Sequence, residues 1–358
     1  MIAIVLGTKA ELIKTMPVMK ELDKRKIKYW FIHTGQHSLG DILKDFALRK
    51  PDFVLYEPPK QSSRFMVRLN KALLFWFVLI PKIWQLLTKL RPKYAIYHGD
   101  TLSAAAAAIA SMFAGCRGVH LEAGLRSGSI FEPFPEEISR LICDRFSSVL
   151  LAVSDLTEKN LKNGFYVGKI LKVGNTVVDS VRICLELPKS HNLGKDFVIV
   201  SIHRHENIKS KERLAKIVDI ITSVKSNVVW PLHDNTRQQL VKFGLWKKLQ
   251  RKNLLIMQPR SYKEFISMFS DAKYAVVDGG SIQEESLALK KPCILLRKRT
   301  ERQEGLAIGI NFLTGLDLNK AKEAIKIAEG GVVVKAFENP YGDGHSAEKI
   351  VDLLTNSF

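Results

Sequence analysis

The chain reads as α/β, built from two doubly wound parallel sheets in two lobes facing across a cleft. Three observations predict this. Short apolar runs alternate with helix patterns from end to end, a hinge is expected between Val173 and Gly194, where Pro188 to Gly194 is polar and helix-poor, and the residues just past each apolar run are polar or charged. Open parallel sheets bind ligands beyond the C-terminal ends of their strands, so those polar residues are the candidates for chemistry.

Ile2 to Leu6 is the first strand, followed by Gly7-Thr8-Lys9 and a helix through Leu22. Tyr29 to His33, Tyr94 to Tyr97 and Gly118 to Leu121 are the next strands, and Gln36-His37, Asp100-Thr101 and Glu122 lie past their ends. Gly174-Asn175-Thr176 closes the first lobe, and Pro188 to Gly194 is the polar link. The second lobe repeats the theme with Phe197 to Ile202, Val228 to Leu232, Leu254 to Met257, Tyr274 to Val277 and Cys293 to Leu296. Past these lie His203-Arg204, His233, Gln258-Pro259, Asp278-Gly279 and Arg297. The expected domains are therefore residues 1–180, residues 181–340 and a C-terminal helix in 341–358 that packs back on the body.

Tyr274 to Leu296 is one β-turn-α-β unit. Asp278-Gly279-Gly280-Ser281 lets the backbone approach a ligand closely, and the free N–H groups of the following helix suit a phosphate. A plain strand-to-helix turn without a ligand fits the same residues.

At 358 residues and 46% apolar content, the chain can bury two ordinary cores. A net charge of +19 admits nucleic acid, an anionic membrane or phosphorylated small molecules. Lys and Arg are scattered, with no basic arm, zinc-finger spacing or aromatic-glycine signature, which argues against nucleic acid. Four separated cysteines, Cys116, Cys143, Cys184 and Cys293, read as reduced thiols rather than disulfides or a metal cage, and with a strand beginning at Ile2 instead of a signal peptide the expected location is cytoplasmic. No G-x-G-x-x-G follows the first strand, and G-x-x-x-x-G-K-[ST], H-E-x-x-H and G-x-S-x-G are absent throughout.

Among the carboxylates, Asp100 reads either as a site residue or as the N-cap of the Ala-rich helix from Ser103, a role open also to Thr101 and Ser103. Glu136 and Arg140 share a helix face, which suits a site or a surface ion pair. His203 is a site residue or a strand-end histidine bonded to a carbonyl.

At these residues the chain resembles a known family. Gly7-Thr8-Lys9-Ala10-Glu11-Leu12-Ile13-Lys14, His98-Gly99-Asp100-Thr101, the Glu122 and Glu136 segments, Gly174-Asn175-Thr176, His203-Arg204-His205-Glu206-Asn207, Ile282-Gln283-Glu284-Glu285, Thr300-Glu301-Arg302 and Asn339 to Gly344 occur in order. Together they resemble the non-hydrolysing UDP-N-acetylglucosamine 2-epimerases over essentially the whole chain. The resemblance implies a GT-B type fold, interconversion of UDP-GlcNAc and UDP-ManNAc without NAD, metal or other cofactor, and a homodimer. It assigns Asp100, Glu122, Glu136 and His203 to catalysis, and Lys9, Lys14, Arg140, Arg204, Gly279, Gly280, Ser281, Glu285 and Arg302 to the nucleotide sugar. The chain departs from the family pattern in four places. Lys9 replaces an arginine, the usual D-S-G-G reads Asp278-Gly279-Gly280-Ser281, H-R-R reads His203-Arg204-His205, and T-E-R-P has Gln303 in place of proline. Glu57-Pro58-Pro59-Lys60-Gln61-Ser62-Ser63-Arg64 also replaces a Gly- and Ser-rich loop.

The chemistry asks for such groups. The C2 hydrogen of the sugar is not next to a carbonyl, so UDP must leave first to make an oxocarbenium-like centre that acidifies C2. Departure calls for positive potential at the diphosphate, and the ring calls for carboxylates that balance charge and move protons on either face. The intermediate is a 2-acetamidoglucal plus UDP. Alternatives are an epimerase of the same family acting on a modified UDP-sugar, such as a 2,3-diacetamido uronic acid, and a GT-B glycosyltransferase with a lipid acceptor at a membrane.

Ala72 to Leu87 is apolar almost all round, but Pro81-Lys82 interrupts it and leaves too few residues to span a bilayer. Leu73, Leu74, Phe77, Ile80, Ile83, Trp84 and Leu87 form the inner stripe, and Phe75, Trp76, Val78 and Leu79 widen it into a second face expected to meet another subunit. Flanking cations make weak association with an anionic membrane surface the competing reading.

Overall fold

The computed structural model describes residues 1–56, 65–128, 135–189, 191–330 and 337–356, with the side chains of 65–75 outside the description. The chain divides into two compact units, Met1–Ser180 with Pro340–Phe358, and Val181–Asn339. The replaced loop Glu57 to Arg64 lies outside the described residues, as does the Phe75 side chain.

The first unit runs β1 (Ile2–Leu6), α1 (Lys9–Lys24), β2 (Tyr29–His33), α2 (Gly40–Asp45), β3 (Phe53–Val54), α3 (Phe65–Leu90), β4 (Tyr94–His98), α4 (Leu102–Phe113), β5 (Arg117–Ala123), α5 (Glu136–Phe146), β6 (Val149–Ala152), α6 (Asp155–Asn163) and β7 (Lys169–Lys172). Helix α7 (Thr176–Glu186) contains the boundary. The second unit holds β8 (Phe197–Ser201), α8 (His205–Ile208), α9 (Lys211–Ser223), β9 (Asn227–Pro231), α10 (Asp234–Lys242), β10 (Leu254–Met257), α11 (Tyr262–Asp271), β11 (Ala275–Val277), α12 (Ile282–Leu289), β12 (Cys293–Leu295), α13 (Glu304–Ile308), β13 (Asn311–Leu313) and α14 (Leu318–Glu329). The last helix, α15 (Ser346–Asn356), returns to the first unit.

Strand order is β3-β2-β1-β4-β5-β6-β7 in one sheet and β10-β9-β8-β11-β12-β13 in the other, with parallel pairing at both β1–β4 and β8–β11. Both orders reverse beside their first strand. A crevice opens in each sheet where neighbouring connections leave in opposite directions, between the turns after β1 and β4 and between those after β8 and β11. Strand β1 is Ile-Ala-Ile-Val-Leu with every residue buried, because helices cover both faces of a parallel sheet.

In α4 the run Ala104 to Ala108 is fully buried. Methyl side chains let α3 and α5 pack close on either side of it, and enlarging one of them would cost about 1–3 kcal/mol in strain. The C-terminal segment is fixed by backbone contacts. Asn175 N–H donates to Tyr341 O at 2.8 Å, Tyr341 is fully buried, and the Asp179 carboxylate accepts the Ala347 N–H at 2.9 Å at the start of α15.

Four strands were not among those expected: β3, β6, β7 and β13. They are two to four residues long, and β7, with lysines at both ends, is only partly buried, so periodicity had little to register. Helix α3 runs through Pro81. Proline deprives the Phe77 carbonyl of its helical donor, but Phe77 and Pro81 both face solvent, where water can replace it. Among the described residues, no helix is long and apolar enough to cross a membrane. Trp76 does not extend an outer face: it is partly buried, and its indole N–H donates to Leu102 O at 2.9 Å. Phe77 and Trp84, expected on the inner stripe, are instead exposed together with Val78, and these are the exposed large apolar side chains of α3 among the described residues.

Candidate functional site

In the first unit the turns after β1, β4 and β5 converge. Helix α1 starts with a capping box, in which Thr8 Oγ1 accepts the Glu11 N–H at 3.2 Å and Glu11 Oε2 accepts the Thr8 N–H at 2.7 Å. That box fixes the direction of Lys9 and Lys14. Lys9 is half-exposed and pairs with Asp41 at 2.7 Å. Lys14 is buried and pairs with Glu122.

Glu122 sits in a bulge of β5, where the register with β6 shifts between Leu121 and Ala123, and its φ is +64°. A non-glycine residue in the left-handed region costs about 1–2 kcal/mol, and here that strain turns the carboxylate onto Lys14. Asp100 does not cap α4. Thr101 does, accepting the Ala104 N–H at 3.0 Å, so the Asp100 carboxylate is left to ion-pair with Arg140. Arg140 is buried and also binds Glu137 at 2.9 Å, which replaces the surface-pair reading of this helix face. Glu136 is the first residue of α5 and is partly buried.

In the second unit the turns after β8 and β11 meet on one fully buried carboxylate. Asp278 accepts the N–H groups of His203 and Arg204, each at 3.0 Å, and the Asn207 side-chain amide at 3.0 Å. The His203 ring is 48% exposed, faces His233 at 5.5 Å between ring centroids, and lies over Gly279, where an added Cβ would come within 3.5 Å of it. Burial lowers the His233 pKa, and the neighbouring His203 adds to the effect.

Above Gly280 an added Cβ would meet Arg302 Nη1 at 3.2 Å and Arg297 Nη1 at 3.7 Å. Glycine thus leaves room for two guanidinium groups at the start of α12, beside Ser281. Arg302 is tied to Glu284 at 2.8 Å and to Glu301, while Arg297 binds Glu301 at 3.3 Å through Nη2. Arg297 Nη1 is buried with no hydrogen-bond partner among the described residues, and burial lowers the pKa of this guanidinium. A desolvated cation with an unused donor, next to the N–H groups of a helix start, is built for an anion. Glu285 is buried on α12 against Tyr262, and Arg204 pairs with Glu206 at 3.1 Å.

The structure thus brings Lys14 to Glu122, Arg140 to Asp100, and His203, Gly279, Gly280, Ser281 and Arg302 to one turn pair. The two clusters lie in different compact units. In the sequence the signal of Asp278 and Arg297 is position after an apolar run, and for Asp278 also its place at the head of the glycine turn. Among the described residues, no group of three or more His, Cys, Asp or Glu could hold a metal ion.

The family model for UDP-N-acetylglucosamine 2-epimerase matches residues 20–355. A relative from Methanocaldococcus jannaschii, described as a UDP-N-acetylglucosamine 2-epimerase, is 32% identical over 99% of this chain and 98% of its own length. A crystal structure of the UDP-GlcNAc 2-epimerase of that organism, in complex with UDP-GlcNAc and UDP, superposes with a TM-score of 0.83 at 31% identity, covering 99% of both chains. A relative from Pseudomonas aeruginosa, described as a UDP-2,3-diacetamido-2,3-dideoxy-D-glucuronate 2-epimerase, is 28% identical over 98% of each chain. The fold is of the GT-B type shared by these enzymes. With the motifs, both sheet orders and a full-length match in agreement, this chain belongs to the UDP-N-acetylglucosamine 2-epimerase family.

Proposed function

We propose that the protein interconverts UDP-GlcNAc and UDP-ManNAc by eliminating UDP to a 2-acetamidoglucal and adding it back. The observation that carries this reading is the division of labour between the two clusters. One is made of carboxylates held in buried ion pairs, and the other of cations around Gly279 and Gly280. In this reading the second unit takes the UDP. The α12 N-terminus, Arg297 and Arg302 offset the charge that develops on the diphosphate as the C1–O bond breaks, and His203 lies at its edge.

The first unit takes the sugar. Asp100, Glu122 and Glu136 balance the positive charge at C1 and exchange the C2 proton on either face, with Lys14 paired to Glu122 and Arg140 to Asp100. The electron pair of the C2–H bond forms the glucal double bond, and re-addition of UDP with protonation from the other face gives the epimer. Hydride transfer is not part of this route. The protein is read as a homodimer.

The test is an NMR assay in deuterated water with UDP-GlcNAc and no acceptor. The expected result is deuterium at C2 in both UDP-GlcNAc and UDP-ManNAc. Saturable UDP binding without exchange would sink the reading. A second substrate is favoured by the Pseudomonas aeruginosa relative and by Lys9 in place of arginine, and a 2,3-diacetamido uronic acid UDP-sugar in the same assay decides between them.

A further inference from the structure

The three consecutive residues of the turn after β4 are each held by a different partner. Asp100 in the middle is bound by Arg140. The flanking residues are held by two buried side chains that the reaction does not itself require. On one side, the Gly99 carbonyl, in a residue with φ +70°, contacts His120 Nε2 at 2.8 Å, while His120 Nδ1 contacts Asp144 Oδ1 at 2.7 Å. A carbonyl and a carboxylate are both acceptors, and the imidazole lies between them. The second oxygen of Asp144 accepts from Arg126 at 2.6 Å, and His120 and Asp144 are fully buried.

On the other side, the Thr101 hydroxyl donates to Glu11 Oε1 at 2.6 Å, and Glu11 Oε2 accepts the Gly7 N–H at 2.8 Å and the Thr8 N–H at 2.7 Å. Glu11 therefore ties the turn after β4 to the turn that launches Lys9 and Lys14. Arg140 and Asp144 are four apart on α5, so one face of that helix reaches the turn twice, directly at Asp100 and through His120 at Gly99.

We propose that His120 and Glu11 are positioning residues for Asp100, which fix the backbone on either side of it so that its carboxylate keeps one aim. The proposal rests on the epimerase reading of Asp100. These buried groups contact the Gly99 carbonyl on one side of Asp100 and the Thr101 side chain on the other, so the residue between them is restrained from both directions. A misplacement of about 1 Å at a reacting group costs up to ~10²-fold in rate, so the clamp acts on turnover rather than on binding.

The experiment uses His120→Phe, which keeps a ring but donates nothing, and Glu11→Ala, each made in the wild type and in Asp100→Asn. His120→Gln, which can still donate to Gly99 O, and Glu11→Gln, whose amide can meet the same three partners, serve as rescues. Deuterium wash-in at C2 should fall roughly ten- to a hundredfold in His120→Phe and Glu11→Ala, with UDP affinity unchanged and activity recovered in the Gln variants. In the Asp100→Asn background neither substitution should slow the enzyme further, because there is no longer a carboxylate to aim. Equal slowing in both backgrounds, or lower melting temperature with undiminished turnover, would make the two residues merely structural and overturn the proposal. A folded wild type that exchanges C2 in no UDP-sugar would instead overturn the epimerase reading and remove the proposal with it.

Discussion

The two sheets reverse strand order in the same way, and yet they furnish their crevices differently. In the first unit two carboxylates are each paired with a long cation from a helix: Glu122 of the β5 bulge with Lys14, and Asp100 past the end of β4 with Arg140. Beside β8 and β11 the one central carboxylate, Asp278, is spent on backbone N–H groups, and the outward chemistry is cationic. The same topology therefore sets carboxylates against side-chain cations in one unit and gathers cations at a helix start in the other. The difference lies in whether the buried carboxylate faces a side-chain cation or the main chain.

Substitutions can break that contrast. The largest expected effect is on turnover: Asp100→Asn, Glu122→Gln or Glu136→Gln should each lower exchange at C2 by ~10²-fold or more, with UDP affinity by calorimetry close to wild type. Affinity falling in step with rate would assign these residues to binding. In the second unit the order should invert. Arg297→Ala or Arg302→Ala removes a charge-assisted hydrogen bond worth about 1.5–3 kcal/mol, so UDP affinity should fall roughly ten- to a hundredfold, and His203→Ala should weaken it too. If calorimetry shows unchanged affinity in all three, UDP is not held by this cluster.

A smaller effect concerns pH and Glu11. Burial pushes its carboxyl up to about 7, against the pull of Thr101 and of the Gly7 and Thr8 N–H groups. A folded pKa above the unfolded value means that the folded state holds the proton longer. The linked stability is then full below the unfolded carboxylate range and is lost as pH rises through about 7. Thermal melting of wild type should accordingly drop between about pH 5 and about pH 8 by an increment that Glu11→Gln lacks. Parallel melting curves for the two proteins over that range would show that Glu11 does not titrate there.

The contrast between the units also explains what the sequence makes legible. Long apolar runs with a polar residue after them, such as Tyr29 to His33 before Gln36 or Tyr274 to Val277 before Asp278, announce both strand and site edge, and the α/β class followed from them. Short strands carry no such signal: Lys169–Lys172 has two apolar residues between lysines, and Phe53–Val54 has two residues in all. Within the sites, motif residues can be read off the chain, but partnerships cannot. Nothing near Lys14 points to Glu122, 108 residues away, and His120 reads as one more residue of a strand until Asp144 and Gly99 are seen against its two nitrogens. Arg297 differs from many other arginines only in being buried with a donor left over. These are properties of juxtaposition, which periodicity and propensity do not encode.

The smallest effect on chemistry, and the sharpest on assembly, is expected on α3. Its inner stripe, Leu79, Ile83 and Leu87, is buried in the core of the first unit, and Trp76 is bonded to the start of α4. What faces outward is Phe77 at 76% and Trp84 at 42% exposure, seven residues and hence about two turns apart on one side of the helix. Two large aromatic side chains in water on a single face lose their hydration cost when a second copy covers them, and aromatic residues are enriched at such contacts. Phe77→Glu combined with Trp84→Glu should therefore give monomers by light scattering, with circular dichroism unchanged because neither side chain enters the core. Exchange at C2 per subunit should change least of all the variants, since α3 carries none of the carboxylates. A doubly substituted protein that remains dimeric would remove this face from the interface. If it also ceased to sediment with anionic vesicles that bind the wild type, Phe77 and Trp84 would belong to a membrane contact instead.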